Sequence, residues 1–232
     1  MKKFNLFILF SLLIPSLCFG GWYYSKIETG GGGAGTVSYA STGSFTAVSD
    51  ATNEATAPSN SSGDLLIACV SDDADQAVTG WDGFTQITSQ TQSSHRLSVA
   101  YIVADGTTSY TFTKAGASSS VAFIFRLTKD QGTWTIADFD SAGASAAAVT
   151  CPDMTVGTDN SMALIIYGND DDFDLDETPT GMTLIAEYDT LDPRLAAWYQ
   201  SYDISGSPVT DKTCDTISGG DQTIIGVVVE AQ

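Results

Sequence analysis

Two clusters of aspartate offer the first chemistry in this sequence. Asp72, Asp73 and Asp75 form one; Asp170, Asp171, Asp172, Asp174 and Asp176, followed by Glu177, form the other. Calcium takes about six to eight hard oxygen ligands, and clustered carboxylates beside Asn169 and backbone carbonyls can supply them. Asp172, Asp174 and Asp176 alternate, so in an extended chain all three point to one side. The run is not an EF-hand: counted from Asp172, the positions that need Gly and an acid hold Glu177 and Thr183. Asp72, Asp73, Asp170, Asp171, Asp172, Asp174 and Asp176 are therefore the candidate metal ligands, with calcium the candidate cofactor. Solvated acidic loops are the competing reading. With 28 acidic against 9 basic side chains and a formal charge of −19, the chain has carboxylates enough for solubility without any metal.

Catalysis finds less support. His95 is the single histidine, and its neighbours Ser93, Ser94 and Arg96 form no nucleophile elbow. A GxSxG motif, a phosphate-binding loop and an HExxH motif are all missing, and the run Gly30 to Gly33 lacks the Lys-Ser/Thr pair that a phosphate loop needs. Glycoside hydrolysis requires two carboxylates about 5 to 9.5 Å apart, a condition that so many acids meet by chance. No catalytic residue is assigned, and a non-enzymatic role is the better expectation.

A ligand surface is the other possibility. Sugar rings stack on indole and phenol faces. Trp81, in the polar segment Thr79 to Gly83, is the tryptophan expected to be exposed and is the candidate ligand contact. Trp198 and Tyr202 share one side of an expected strand and read as core. Arg96 and Arg194 are scarce cations in equivalent places, each expected to pair with the acidic loop of its own half. Nucleic acid is excluded as a partner by the charge balance.

The elements that must position these groups are strands. Leu97, Val99, Tyr101 and Val103 alternate with more polar neighbours, as do Val121, Phe123, Phe125 and Leu127, and Ile225, Val227 and Val229. Leu65 to Val70 and Met162 to Tyr167 are continuously apolar, which predicts central strands covered on both faces. Ala142 to Val149 reads as a small-residue strand or loop rather than a helix, given Gly143 and Ser145.

Ahead of this body, Lys2 and Lys3 precede an apolar run from Leu6 to Ile14 and the segment Pro15 to Gly20, which reads as a signal peptide over residues 1–20. The run is short for a membrane span, so no stable span is expected once it is removed; an uncleaved N-terminal anchor is the alternative. Residues 21–35 form an aromatic arm, Trp22-Tyr23-Tyr24, and a glycine-rich linker. The body covers 36–232. Removal of the signal leaves Cys69, Cys151 and Cys214. Cys69 reads as a buried hydrophobe, and Cys151–Cys214 is the candidate disulfide, against two unpaired buried thiols.

Self-comparison gives the organisation. At a constant offset of 98 residues, Asp72-Asp73 maps onto Asp170-Asp171, Gly83-Phe84-Thr85-Gln86-Ile87 onto Gly181-Met182-Thr183-Leu184-Ile185, and Arg96-Leu97 with Tyr101 and Asp105 onto Arg194-Leu195 with Tyr199 and Asp203. The body then divides into halves of about 36–130 and 131–232. Some five strands per half, about ten in all, predict an all-β, jelly-roll-like two-sheet β-sandwich built from two similar halves, with two separate small domains as the alternative.

Gly63-Asp64-Leu65-Leu66-Ile67, the acidic loop, Gly83-Phe84-Thr85 and Leu97 to Gly106 together resemble a duplicated β-sandwich domain of uncharacterised phage virion or tail-associated proteins and secreted bacterial proteins. That family usually has Trp after the turn glycine, where Phe84 and Met182 stand here. The resemblance implies fold and setting rather than activity. The expected function is a non-enzymatic, exported β-sandwich that presents a binding or coating surface. It would recognise a glycan or cell-surface ligand in the manner of an adhesin, or serve on a virion surface, with residues 21–35 reaching a second copy or a virion neighbour. A carboxylate-dependent glycan hydrolase or lyase, calcium-assisted, is the alternative. Secretion is the expected destination, with a virion surface as the other.

Overall fold

The apolar runs and the alternating segments build two large sheets. The computed structural model describes residues 34–170, 175–190 and 192–232, with the backbone alone for 175–177 and 216–219. The expected signal segment, the arm as far as residue 33, and Asp171, Asp172 and Asp174 lie outside the described residues, as does the side chain of Asp176. In the first half the strands are β1 (Val37–Thr42), β2 (Thr46–Val48), β3 (Thr52–Thr56), β4 (Leu65–Asp72), β5 (Val78–Gly80), β6 (Thr85–Gln92), β7 (His95–Val103), β8 (Ser109–Lys114) and β9 (Ser120–Lys129). In the second they are β10 (Trp134–Cys151), β11 (Met154–Thr155), β12 (Ser161–Asn169), β13 (Leu175–Glu177), β14 (Thr183–Tyr188), β15 (Arg194–Tyr202), β16 (Pro208–Val209) and β17 (Lys212–Ala231).

The first large sheet runs β1-β9-β4-β7-β6 and the second β10-β17-β12-β15-β14, the same order step for step; β2 also pairs with β9, and β13 with β17. Every neighbouring pair in them is antiparallel. A small sheet, β3-β8-β5, accompanies the first, and β11-β16 accompanies the second. The first half weaves between its two sheets in a jelly-roll-like winding: β1 and β2 large, β3 small, β4 large, β5 small, β6 and β7 large, β8 small, β9 large. With these small outer sheets, the described residues hold more strands than the ten expected.

The two large sheets pack face to face, and this explains why β4 and β12 are buried at every position. Successive strand residues point to opposite faces. Leu65, Ile67 and Cys69 of β4 meet Met162, Leu164 and Ile166 of β12 in the core between the large sheets. The alternate residues Leu66, Ala68 and Val70 enter the outer core of the first half, with Phe84, Tyr110 and Phe112. Ala163, Ile165 and Tyr167 enter that of the second, with Trp198, Cys151 and Cys214. Each large apolar side chain so buried contributes about 1.5–3 kcal/mol.

The sheets oppose one another in reversed order. On one side Tyr39 of β1 stacks on Tyr199 of β15 at 5.2 Å, and Phe45 lies 5.5 Å from Tyr188 of β14. On the other side β6 meets β10 through polar groups: Gln92 Nε2 donates to Ser145 Oγ at 2.8 Å and Ser141 Oγ to Gln90 Oε1 at 3.0 Å. The Ala142 to Val149 stretch lies within β10, a strand of 18 residues. Register breaks between Ile136 and Asp138, and between Ala146 and Ala148, accompany its pairing with β17. Its far end then brings Val149 and Cys151 over the outer face of the second large sheet.

Candidate functional site

Asp72, His95 and Asp170, three of the side chains that sequence picked out, lie at one end of the large sheets. There β4 ends at Asp72, β7 begins at His95, β12 ends at Asn169 and β17 passes through Asp221 to Thr223. His95 is fully buried. Its Nε2 lies 2.8 Å from Ser71 Oγ on β4, and its Nδ1 lies 3.1 Å from Thr223 Oγ1 on β17. One nitrogen is bonded to each large sheet. The ring lies against Gly168 of β12, where a Cβ would stand 2.7 Å from Cε1 and 2.9 Å from Ser71 Oγ. Burial brings the imidazole down to about 4, against the opposing pull of Asp72 and Asp221. A Ser-His pair at this distance resembles a nucleophile with its base, but Ser71 is itself sealed from solvent and Nδ1 meets a hydroxyl rather than a carboxylate. The geometry suits a cross-sheet tie, not acyl transfer.

Beside it, Asp72 turns inward. Its Oδ1 accepts from the backbone N–H groups of Ala74 at 3.0 Å and Gln76 at 2.9 Å, and its Oδ2 takes Lys114 Nζ at 2.9 Å and the Ser118 hydroxyl. Lys114 Nζ also donates to Ser118 O at 2.7 Å, Ser118 Oγ at 2.8 Å and Ser120 Oγ at 2.9 Å. Both charged side chains are essentially unexposed, so this is a saturated internal ion pair that ties β4 to β8. Asp73 is held above the usual carboxylate range, chiefly by burial and against a bond from Ser119. Asp75 pairs with Arg96, with NH2 at 2.7 Å and Nε at 2.8 Å, so Arg96 does join the acidic loop of its own half.

The second acidic loop starts from Asp170, whose Oδ1 accepts from Asp221 N at 3.0 Å and Oδ2 from Ser94 Oγ at 3.3 Å. Among the described residues no three His, Cys, Asp or Glu side chains are grouped to hold a metal ion; Asp72, Asp73 and Asp170 are each engaged as given above. Ladder register also refines the repeat. Asp72 lies opposite Arg96 and Asn169 opposite Arg194, so the positional counterpart of Asp72 is Asn169 rather than Asp170. The lysine that matches Lys114, Lys212, bonds neutral oxygens instead: Thr180 O at 2.7 Å and Gln200 Oε1 at 2.8 Å.

Trp81 is half-buried. Its ring lies 5.2 Å from Phe112 and its Nε1 donates to Gln86 Oε1 at 3.0 Å, so much of the indole is spent on packing. Cys69, Cys151 and Cys214 are buried free thiols. Burial pushes Cys69 and Cys214 far up and Cys151 to about 12. Cys151 is opposite Lys212 and Cys214 opposite Val149, a diagonal placement on one ladder.

Sequence reasoning passed over Ser71, Thr223 and Gly168, which carry no motif, and Lys114. That last one was findable: Lys114 and Lys212 share the 98-residue offset, and a lysine is a rarity in so acidic a chain. No family model matches the chain, and no curated protein or solved structure matches it.

Proposed function

We propose that the chain is a non-catalytic, exported β-sandwich module whose role is to present its outer surface, either to a glycan or cell-surface ligand or as part of a coat. One observation carries the reading: the described groups best suited to chemistry are turned inward and used to hold layers together. His95 joins two sheets, Asp72 and Lys114 satisfy each other, and all three described thiols are sealed. Three cations nearer the surface are also engaged. Arg96 is bound to Asp75, Arg126 to Asp64 and the Ser59 carbonyl, and Lys129 lies over the Trp134 ring. The described surface carries exposed carboxylates and short polar side chains, with Val103, Phe139, Leu184 and Ile204 exposed among them. Export through residues 1–20, calcium at the acidic loops, ligand contact at Trp81 and a neighbour reached by residues 21–35 belong to the same proposal.

The test is a panel of immobilised polysaccharides and bacterial surface glycans incubated with the secreted chain, with and without calcium. Retained protein and released reducing ends are measured in the same wells. Retention without release is expected. Release that tracks protein concentration, abolished by a single carboxylate substitution, would establish the hydrolase alternative and overturn the reading.

A further inference from the structure

We propose that His95 is an acid-sensitive latch between the two halves of the chain: as the neutral imidazole it joins the large sheet of one half to that of the other, and protonation releases the joint. The inference goes beyond the display role and stands independently of it.

The core between the large sheets is otherwise built from apolar side chains such as Leu65, Ile67, Phe123, Leu164 and Val227, which do not respond to pH. His95 is a titratable group fully buried between the sheets and bonded to both, to Ser71 on one and to Thr223 on the other. Gly168 packs closely against the ring, so that a Cβ there would stand 2.7 Å from Cε1. The groups that face the ring decide what protonation does. From β4 comes Asp72, already committed to Lys114 of β8. From β17 comes Asp221, and from the end of β12 Asp170, which bonds Asp221 N and Ser94. Asn169 and Gln92, from β12 and β6, are neutral, and on its own strand Arg96 turns to Asp75. The two hydrogen-bonding partners of the ring are hydroxyls. They can accept from an imidazolium but cannot balance its charge, so the cost of burying it stands.

The direction follows from linkage. In the closed form the imidazole takes a proton only near pH 4, whereas in water it does so near about 6.5. The open form therefore binds the proton first. The latch holds fully above about pH 6.5, and as pH falls toward 4 the equilibrium shifts toward opening by up to about tenfold per pH unit. Each half also keeps a second apolar core on its outer side, so parting of the large sheets need not melt either half.

Cysteine positions supply the readout. Cys69 lies in the core between the large sheets, while Cys151 and Cys214 lie in the outer core of the second half. On the reduced chain cleaved of residues 1–20, and so of Cys18, thiol labelling with a dipyridyl disulfide, corrected with a small-molecule thiol and mapped by mass, should accelerate at Cys69 by at least tenfold between pH 7 and 4.5. Cys151 and Cys214 should stay protected, and His95→Gln should flatten the Cys69 profile. Simultaneous exposure of all three thiols would mean global unfolding and overturn the proposal, as would an unchanged Cys69 rate. Should the variant fail to fold, the unaltered chain still decides: His95 is the single histidine, so its imidazole proton resonances assign themselves. A folded-state midpoint near 6.5 would overturn the latch, and resonances constant from pH 8 to 5 would support it.

Discussion

Replacing Lys114 by Met is the most informative single perturbation of the fold. It leaves the Asp72 carboxylate inside the protein with two backbone N–H donors and the Ser118 hydroxyl, but without a countercharge. Breaking a buried pair from one side costs about 3–5 kcal/mol. Because three donors persist, the lower end applies, about 3 kcal/mol. Asp72→Asn strands Lys114 instead. Its Nζ keeps the Ser118 carbonyl and the hydroxyls of Ser118 and Ser120, and a similar loss is expected. The double variant removes both charges and should cost less than the sum, with a coupling of about 2–3 kcal/mol. Urea unfolding followed by tryptophan fluorescence measures all three. With a slope of about 1–3 kcal/mol per molar, each single variant should lower the midpoint by roughly 1–3 M. Two outcomes would refute the argument: single variants within about 1 kcal/mol of the parent, or strict additivity. Either would mean that water reaches the pair and that its burial is not what organises this end of β4.

The second half provides the internal control. Lys212→Met removes bonds only to neutral oxygens, Thr180 O and Gln200 Oε1, so the loss should be about 1 kcal/mol, and a loss as large as for Lys114→Met would show an unseen countercharge. Gly168→Ala places a Cβ 2.7 Å from His95 Cε1 and should cost about 1–3 kcal/mol by overpacking, read as a fall in the thermal midpoint; a neutral result would mean the ring can shift. At pH 8 a thiol with Cys151's value of about 12 holds roughly a thousandfold less thiolate than an ordinary cysteine. Alkylation of Cys151 in the native chain cleaved of residues 1–20 should therefore be slower by at least that factor, and a fast reaction at Cys69, Cys151 or Cys214 would contradict the burial. Counting thiols after unfolding under non-reducing conditions then separates three free groups from one free group beside a Cys151–Cys214 disulfide.

The parts of the fold that were legible in the sequence are those where periodicity reports burial directly. Leu65 to Val70 and Met162 to Tyr167 read as strands covered on both faces because both of their faces meet a core; β7 and β9 showed their inward Leu97, Val99, Phe123 and Phe125, but Ala100, Ala122 and Ile124 are buried on the outer side too. The small outer strands left no such mark. Thr52–Thr56 is polar throughout except for Ala55, and β11 and β16 are two residues each. A pattern of two residues has no period, so the small outer sheets and the full number of strands were invisible, while the all-β sandwich itself was legible. Ladder register was also out of reach: a one-residue slip between the halves replaces Asp72 by Asn169, which only the pairing with Arg96 and Arg194 reveals. His95 stood out as a lone histidine, yet its partners lie 24 and 128 residues away in sequence. Separations that large carry no local signal, since tertiary packing alone brings them together.

The chain enters the described body beside the strand that ends it. Gly35 forms an antiparallel bridge with Ala231, its N–H donating to the Ala231 carbonyl at 2.7 Å. A tether attached ahead of Gly35 and another beyond Ala231 would thus pull from neighbouring points, along the direction in which antiparallel hydrogen bonds lie. Such a load opens the bonds one after another, like the teeth of a zip, instead of stressing many together in shear. Anchored at both ends the module would yield at low force from that corner.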